Sequence, residues 1–175
     1  ELARITLRND ADKEWKINKI LDITDKAMSG ELDFPTALQK RLDILSLTKD
    51  SIKEVTQKIS LMVSDSFIKS KELIQSVSDD IWILSGGFRE VICPIVSDFG
   101  ISENQVIANN FIYNGDDIIG CNRDALLFKK QGKTEAIKSL NLKNPVVMVQ
   151  KYMTPYIHCH ADKLVKFLHQ VHFQI

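Results

Sequence analysis

Residues 82 to 88 read Trp-Ile-Leu-Ser-Gly-Gly-Phe, and this stretch decides the fold. The apolar run Ile81 to Leu84 predicts a strand. Directly after Ser85-Gly86-Gly87-Phe88, the residues Val91, Ile92, Ile95, Val96 and Phe99 recur at spacings of three and four, which predicts a helix. A strand that ends in Ser-Gly-Gly and opens a helix gathers a hydroxyl and several backbone N–H groups at one helix N-terminus. Such a terminus attracts anions, because its first-turn donors are unpaired and the helix dipole favours negative charge there. Two glycines also let the backbone turn sharply and approach a ligand closely. Two readings of the stretch stand at this point: an anion site, or a tight strand-to-helix turn without a ligand.

Upstream of this stretch the chain reads as helical. Residues 12 to 29 carry one stripe of Ile17, Ile20, Leu21, Thr24, Ala27 and Met28, and Gly30 is placed to stop that helix. Asp33 stands at an N-cap position with Pro35 in the first turn, where a missing N–H costs nothing. Phe34, Ala37, Leu38, Arg41, Leu42 and Leu45 then follow at helical spacing. Arg41 is the one charge on that face. It is either a rim arginine with its stem against the core, or a guanidinium aimed at an anionic group. A third helix is predicted from Thr48 to Ile59, so the first sixty residues read as all-helical. Another helix, capped by Asp65 or Ser66, carries Phe67, Ile74 and Val77.

Downstream, Pro94 is expected to kink or shorten the helix after Ser-Gly-Gly. Val106 to Ala108 is a short strand, and Phe111 to Ile119 reads as a hairpin turning at Asn114-Gly115. Lys129 to Leu140 is predicted helical, with Gly132-Lys133 in its first turn. Val146 to Val149 is a continuous apolar run of the kind found in a buried parallel strand, and Ala161 to Val171 closes the chain as a mixed segment. Strands alternating with helices argue for an α/β layer.

At 175 residues, 44% hydrophobic and 26% charged, the chain has the length and composition of one globular domain with a real core. Lysines with arginines and aspartates with glutamates number 23 each, so no global basic footprint for nucleic acid exists. No apolar run approaches the roughly 18 residues that span a membrane. Three widely spaced cysteines, Cys93, Cys121 and Cys159, favour reduced thiols and a cytoplasmic setting. The chain begins at Glu1 rather than at a methionine, which leaves an upstream segment or lost leader open. All four histidines lie near the end, at His158, His160, His169 and His172, with Cys159 among them. They read as a Zn²⁺ site with N/S ligands or as an incidental, partly exposed tail.

Three segments, AMSGELDFPTALQKRLDIL (Ala27 to Leu45), ILSGGF and QGKTEAI around Lys133, occur in an order that resembles the phosphoserine phosphatase branch of the haloacid dehalogenase superfamily. The resemblance covers most of residues 1 to 149. It implies an α/β fold, a Rossmann-like core with a small N-terminal helical cap, divided as cap 2–58 and partial core 59–175. It implies a Mg²⁺-dependent phosphatase acting on a small phosphorylated metabolite such as phosphoserine. Met28, Phe34 and Arg41 would line the cap side of the pocket, with Arg41 on the substrate carboxylate. Ser85 and the Gly86 backbone would hold the phosphoryl group, and Lys133 would neutralise its developing charge. Oriented donors and a cation are the parts phosphoryl transfer requires of a protein.

The sequence departs from that family at two motifs. The family's nucleophile is the first aspartate of DxDx(T/V) on the first core strand, and this motif is not found in the 175 residues. After Val146 to Val149 the chain continues Gln150-Lys151-Tyr152-Met153, where the family carries GDGxxD. Asp116, Asp117 and Asp124 do not take that place. The expected Mg²⁺ ligands are therefore missing, and an aspartyl-phosphate lacks its carboxylate. The family's missing strand lies between those ending at Leu84 and Val149, so the core is expected to be incomplete. Three functional expectations follow. The chain is a fragment or degenerate copy, inactive as written; or it is a non-catalytic anion-binding module; or it is one part of a split phosphatase completed by a segment carrying the DxDxT strand.

Overall fold

Local chemistry sets the first helices and their ends. The computed structural model describes residues 2–129, 131–143, 145 and 146. Helix α1 (Leu2–Thr6) leads into α2 (Lys13–Ser29). Gly30 closes α2 with a φ of 82°, a left-handed conformation that suits glycine, and its N–H reaches Ala27 O. Asp33 caps α3 (Phe34–Leu42), accepting from the Thr36 N–H at 2.9 Å, with Pro35 in the first turn. Helix α4 (Lys49–Ser60) opens on a capping box between Thr48 and Ser51, and buries Ile52, Val55 and Ile59.

Two features of this half differ from the sequence reading. Leu47–Thr48 is a short strand, β1, so the first sixty residues are not all helical. It pairs antiparallel with β5 (Asp117–Cys121), placing Leu47 opposite Ile118. Two residues are too few to display a strand period, and their partner lies far along the chain. The helix expected around Phe67 to Val77 is two pieces, α5 (Asp65–Lys69) and α6 (Lys71–Ser76). They break at Ser70, whose φ of −96° and ψ of 11° leave the helical region.

Strand β2 (Ile83–Phe88) pairs in parallel with β3 (Val106–Asn109), with Ile83 opposite Val106 and Leu84 opposite Ile107. Between them runs α7 (Arg89–Ser97), which contains Pro94 and remains helical for nine residues. Alternation along the strands builds three layers. Ile81, Ile83, Val106 and Ala108 face Ile92, Cys93 and Val96 of α7. Trp82, Leu84 and Ile107 face the other way, onto Leu127, Ala136 and Ile137, which belong to a 3-10 turn and α8 (Gly132–Ser139). Each fully buried aliphatic side chain contributes ~1.5–3 kcal/mol relative to exposure.

The hairpin joins β4 (Phe111–Asn114) to β5 through Gly115-Asp116, with Asn114 opposite Asp117. Gly115 takes the first loop position at a φ of 61°, where a side chain would be strained. A third cluster joins α1 to α4 with Phe88, Val91, Phe111, Cys121 and Phe128. Packing therefore runs without a gap from the first sixty residues into α7 and the hairpin. Of the expected strand Val146 to Val149, only Val146 falls within the described residues, and the histidine-rich tail lies outside them. No described helix is long and apolar enough to cross a membrane.

Candidate functional site

The Ser-Gly-Gly stretch is strand, not a strand-to-helix turn. β2 continues to Phe88, which pairs with Asn109, and α7 opens only at Arg89. Between Leu84 and Phe88 four residue steps on β2 face two on β3, so Ser85-Gly86-Gly87 forms a bulge. The donors of this stretch are therefore bulge amides rather than the first turn of a helix. The correction has a physical cause: Phe88 stacks on Phe111 with ring centroids 3.7 Å apart and joins the core, which keeps the chain extended past the glycines.

Two side chains hold the bulge. The Gly87 N–H donates to Ser85 Oγ at 3.1 Å, and Asn109 Nδ2 donates to the Gly86 carbonyl at 2.9 Å. With Oγ used as an acceptor, the Ser85 O–H remains a donor. Phe34, at the start of α3, lies over Gly86: a Cβ on Gly86 would come within 2.8 Å of the Phe34 ring. The fold thus brings Ser85, Gly86 and Phe34 to one place, from segments some fifty residues apart in sequence.

Arg41 lies two turns along α3 from Phe34 and is only 8% exposed. Its Nε donates to Ala37 O at 3.2 Å, within its own helix, and no carboxylate pairs with it among the described residues. Burial pulls its pKa down, yet a guanidinium starts so high that it stays charged. Met28, in the last turn of α2, is half exposed, and Phe34 is 39% exposed. No described hydrogen bond joins Arg41 to the bulge.

Lys133 stands in the first turn of α8, where burial lowers its pKa. Gly132 allows that placement, since a Cβ there would fall 1.8 Å from Leu126 O. Three residues beyond Lys133, the fully buried Ala136 packs in the cluster of Leu84, which directly precedes Ser85. Helix α8 thus covers the strand that carries the bulge.

Two polar residues here escaped the sequence reading. Asn109 is fully buried at the end of the apolar run Val106 to Ala108, and its Oδ1 has no partner among the described residues. A polar side chain ending an apolar strand is the signal that marks it. Glu90, in the first turn of α7, accepts from the Phe111 N–H at 2.9 Å through Oε1, while its buried Oε2 has no described partner. Burial pushes its pKa up, against smaller lowering by backbone N–H groups and Arg89. Among the described residues no three His, Cys, Asp or Glu side chains are arranged to hold a metal ion. The described donors do not fit Mg²⁺, which takes several oxygen ligands with carboxylates among them.

No family model matches the chain. Phosphoserine phosphatase of Campylobacter jejuni subsp. doylei is 36% identical over 145 residues, covering 79% of this chain and 67% of that protein. The chain belongs to the phosphoserine phosphatase branch of the haloacid dehalogenase superfamily. A solved phosphoserine phosphohydrolase-like protein from Francisella tularensis superposes with a TM-score of 0.66 at 30% identity, over 83% of this chain and 67% of that one. Chloroplastic phosphoserine phosphatase of Arabidopsis thaliana is 26% identical over 141 residues, 80% of this chain. The chain spans about half the length of such relatives, 45% of the Arabidopsis protein and 48% of the Drosophila melanogaster phosphoserine phosphatase. Membership accounts for the mixed α/β layers.

Proposed function

We propose that these 175 residues bind a small phosphorylated, carboxylated metabolite of the phosphoserine type and do not hydrolyse it on their own. Residues 2–58 act as the cap and residues 59–175 as part of the core. The Ser85 hydroxyl and the Gly86 backbone take the phosphoryl oxygens, and Lys133 offsets their charge. Arg41, whose planar guanidinium suits a carboxylate, takes the carboxyl group, while Met28 and Phe34 cover the apolar side. The observation that carries this reading is the Phe34 ring over Gly86, which sets the cap helix of Arg41 beside the Ser85 bulge. Turnover is not part of the reading, because no DxDx(T/V) aspartate is available to form a phospho-enzyme. The buried, unbridged thiols Cys93 and Cys121 agree with a cytoplasmic setting.

Titration of the 175-residue chain with phosphoserine, followed through backbone amide signals, tests this reading. We expect shifts at Ser85, Gly86 and Lys133 with a Kd on the order of 1 mM, or roughly 4 kcal/mol. No phosphate release is expected with Mg²⁺ present. Unmoved signals at Ser85 and Gly86 in a folded chain would refute binding. Hydrolysis lost in Ser85→Ala would refute the absence of turnover.

One observation favours a second reading, a phosphatase completed by a further segment. β2 is buried along most of its length, yet it pairs with β3 alone among the described strands. Buried backbone donors and acceptors need partners, and a strand bearing DxDx(T/V) would supply both partners and nucleophile. Phosphoserine hydrolysis on adding such a peptide in trans supports this reading, and an unchanged blank rate rejects it.

A further inference from the structure

We infer that Asn109 is a positioning residue of the anion site, holding the Gly86–Gly87 peptide so that the Ser85 hydroxyl faces the ligand. The inference deepens the binding reading above and rests on it. In a regular ladder, the neighbouring strand would fix this peptide. Here the bulge takes it out of register with β3, and two side chains replace the ladder. The carbonyl end of the peptide accepts from Asn109 Nδ2 at 2.9 Å, and the N–H end donates to Ser85 Oγ at 3.1 Å. One rigid peptide plane therefore links Asn109 to Ser85.

Glycine on both sides of that peptide leaves its rotation little opposed by sterics. Release of the carbonyl frees the plane to turn, which withdraws the Gly87 N–H from Ser85 Oγ and disorients the hydroxyl. The Asn109 amide can face the carbonyl only through its NH2 group, since an oxygen there would repel. This choice leaves Oδ1 buried without a described partner, a cost that an aliphatic residue would avoid. The position ends the apolar run Val106-Ile107-Ala108 and is fully enclosed, so an aliphatic residue would suit the packing. What only an amide supplies there is the donor to Gly86.

Asn109→Asp removes that donor at nearly constant size and restores one when the introduced carboxyl is protonated. Sulfate is the probe, because its charge is constant across the range used, while phosphate titrates. Affinities of the unaltered chain and the variant are compared as a ratio at each pH. The ratio cancels titration of Glu90 and the charges of Arg89, Arg41 and Lys133. We expect sulfate to bind the variant at least about tenfold more weakly near pH 8, a factor in line with a lost hydrogen bond. Burial raises the introduced carboxyl, so the ratio should return towards one at about pH 5.5. Hydrogen exchange of the Gly87 amide, taken relative to the unaltered chain at the same pH so that the base-catalysed intrinsic rate cancels, should be quicker in the variant at high pH and return to parity at low pH. A ratio near one at both pH values overturns the inference. So does weakness that acid relieves while Gly87 exchange stays as slow as in the unaltered chain, which is repulsion of sulfate by the introduced carboxylate alone, or weakness that acid does not relieve in a folded variant. If the unaltered chain binds no sulfate, the anion-site reading fails instead, and the Gly87 exchange alone decides whether Asn109 holds the bulge.

Discussion

Gly132→Ala adds one methyl group where the structure has no room for it. The new Cβ would lie 1.8 Å from Leu126 O, 2.8 Å from Leu126 C and 3.1 Å from Leu127 Cα. Ordinary carbon–oxygen contact is roughly 3.3 Å, so the start of α8 must move by about 1.5 Å from the 3-10 turn at Leu126. The opposing atoms are backbone, which cannot rotate away as a side-chain tip can. Such a displacement opens the cluster of Leu84, Leu127 and Ala136. Gaps of ~0.5–1 Å already forfeit a quarter to a half of each dispersion contact. Overpacking costs ~1–3 kcal/mol and occasionally more, and the methyl returns at most ~1 kcal/mol in helix propensity. We expect a net loss of about 2 kcal/mol, which for a chain of this size lowers Tm by roughly 4–8 °C. Urea unfolding followed by circular dichroism measures it, with Gly120→Ala as the control because nothing lies within 4 Å of a Cβ there. A loss below ~1 kcal/mol, or one equal to that of Gly120→Ala, would refute the close seating of α8 on the turn.

Arg41→Met should leave stability unchanged or raise it by ~1 kcal/mol, because a buried cation with no carboxylate partner among the described residues is exchanged for an apolar chain. The same variant should lose the preference for phosphoserine over phosphoethanolamine. Calorimetric titration with both compounds checks this, and an unchanged preference removes Arg41 from the carboxylate role. Glu90→Gln tests the buried carboxyl of α7. A raised pKa in the folded state means that the native chain holds a proton the unfolded chain has released, so stability falls as pH rises from the ordinary glutamate range through the raised value. Glutamine keeps the acceptor for the Phe111 N–H and cannot ionise. The urea midpoint of the variant should therefore change less with pH than that of the unaltered chain, with the gap in its favour widening towards neutrality. Parallel pH profiles would show that Glu90 does not titrate differently on folding.

The two halves of the chain differ in how much of their structure is written locally. Helices α2 and α3 begin and end where Gly30, Asp33 and Pro35 place the boundaries, because a left-handed cap, a side-chain acceptor and a fixed φ act within four residues. The hairpin turned at its glycine for the same reason, though at Gly115-Asp116 rather than the expected Asn114-Gly115, because Asn114 pairs with Asp117 as strand. Ile81 to Leu84 and Val106 to Ala108 read as strands because both faces are covered, and the parallel pairing follows from the helix between them. The Ala27 to Leu45, ILSGGF and QGKTEAI segments were sufficient to indicate the family.

What the sequence left undecided depends on partners distant along the chain. Thr48 is both the end of β1 and the cap of α4, and only pairing with Asp117 makes it strand. A Ser-Gly-Gly run is equally compatible with a turn and a bulge, since glycine imposes neither. The stacking of Phe88 on Phe111 and the bond from Asn109 to Gly86 chose the bulge. The contact of Phe34 with Gly86 likewise had no trace in spacing. Capping and periodicity act over one or two turns, so composition and order determined the helices, the strands and the kinship of this protein. Register and side-chain contact are settled by burial between segments that meet only on folding, so the tertiary structure alone decided the shape of the site.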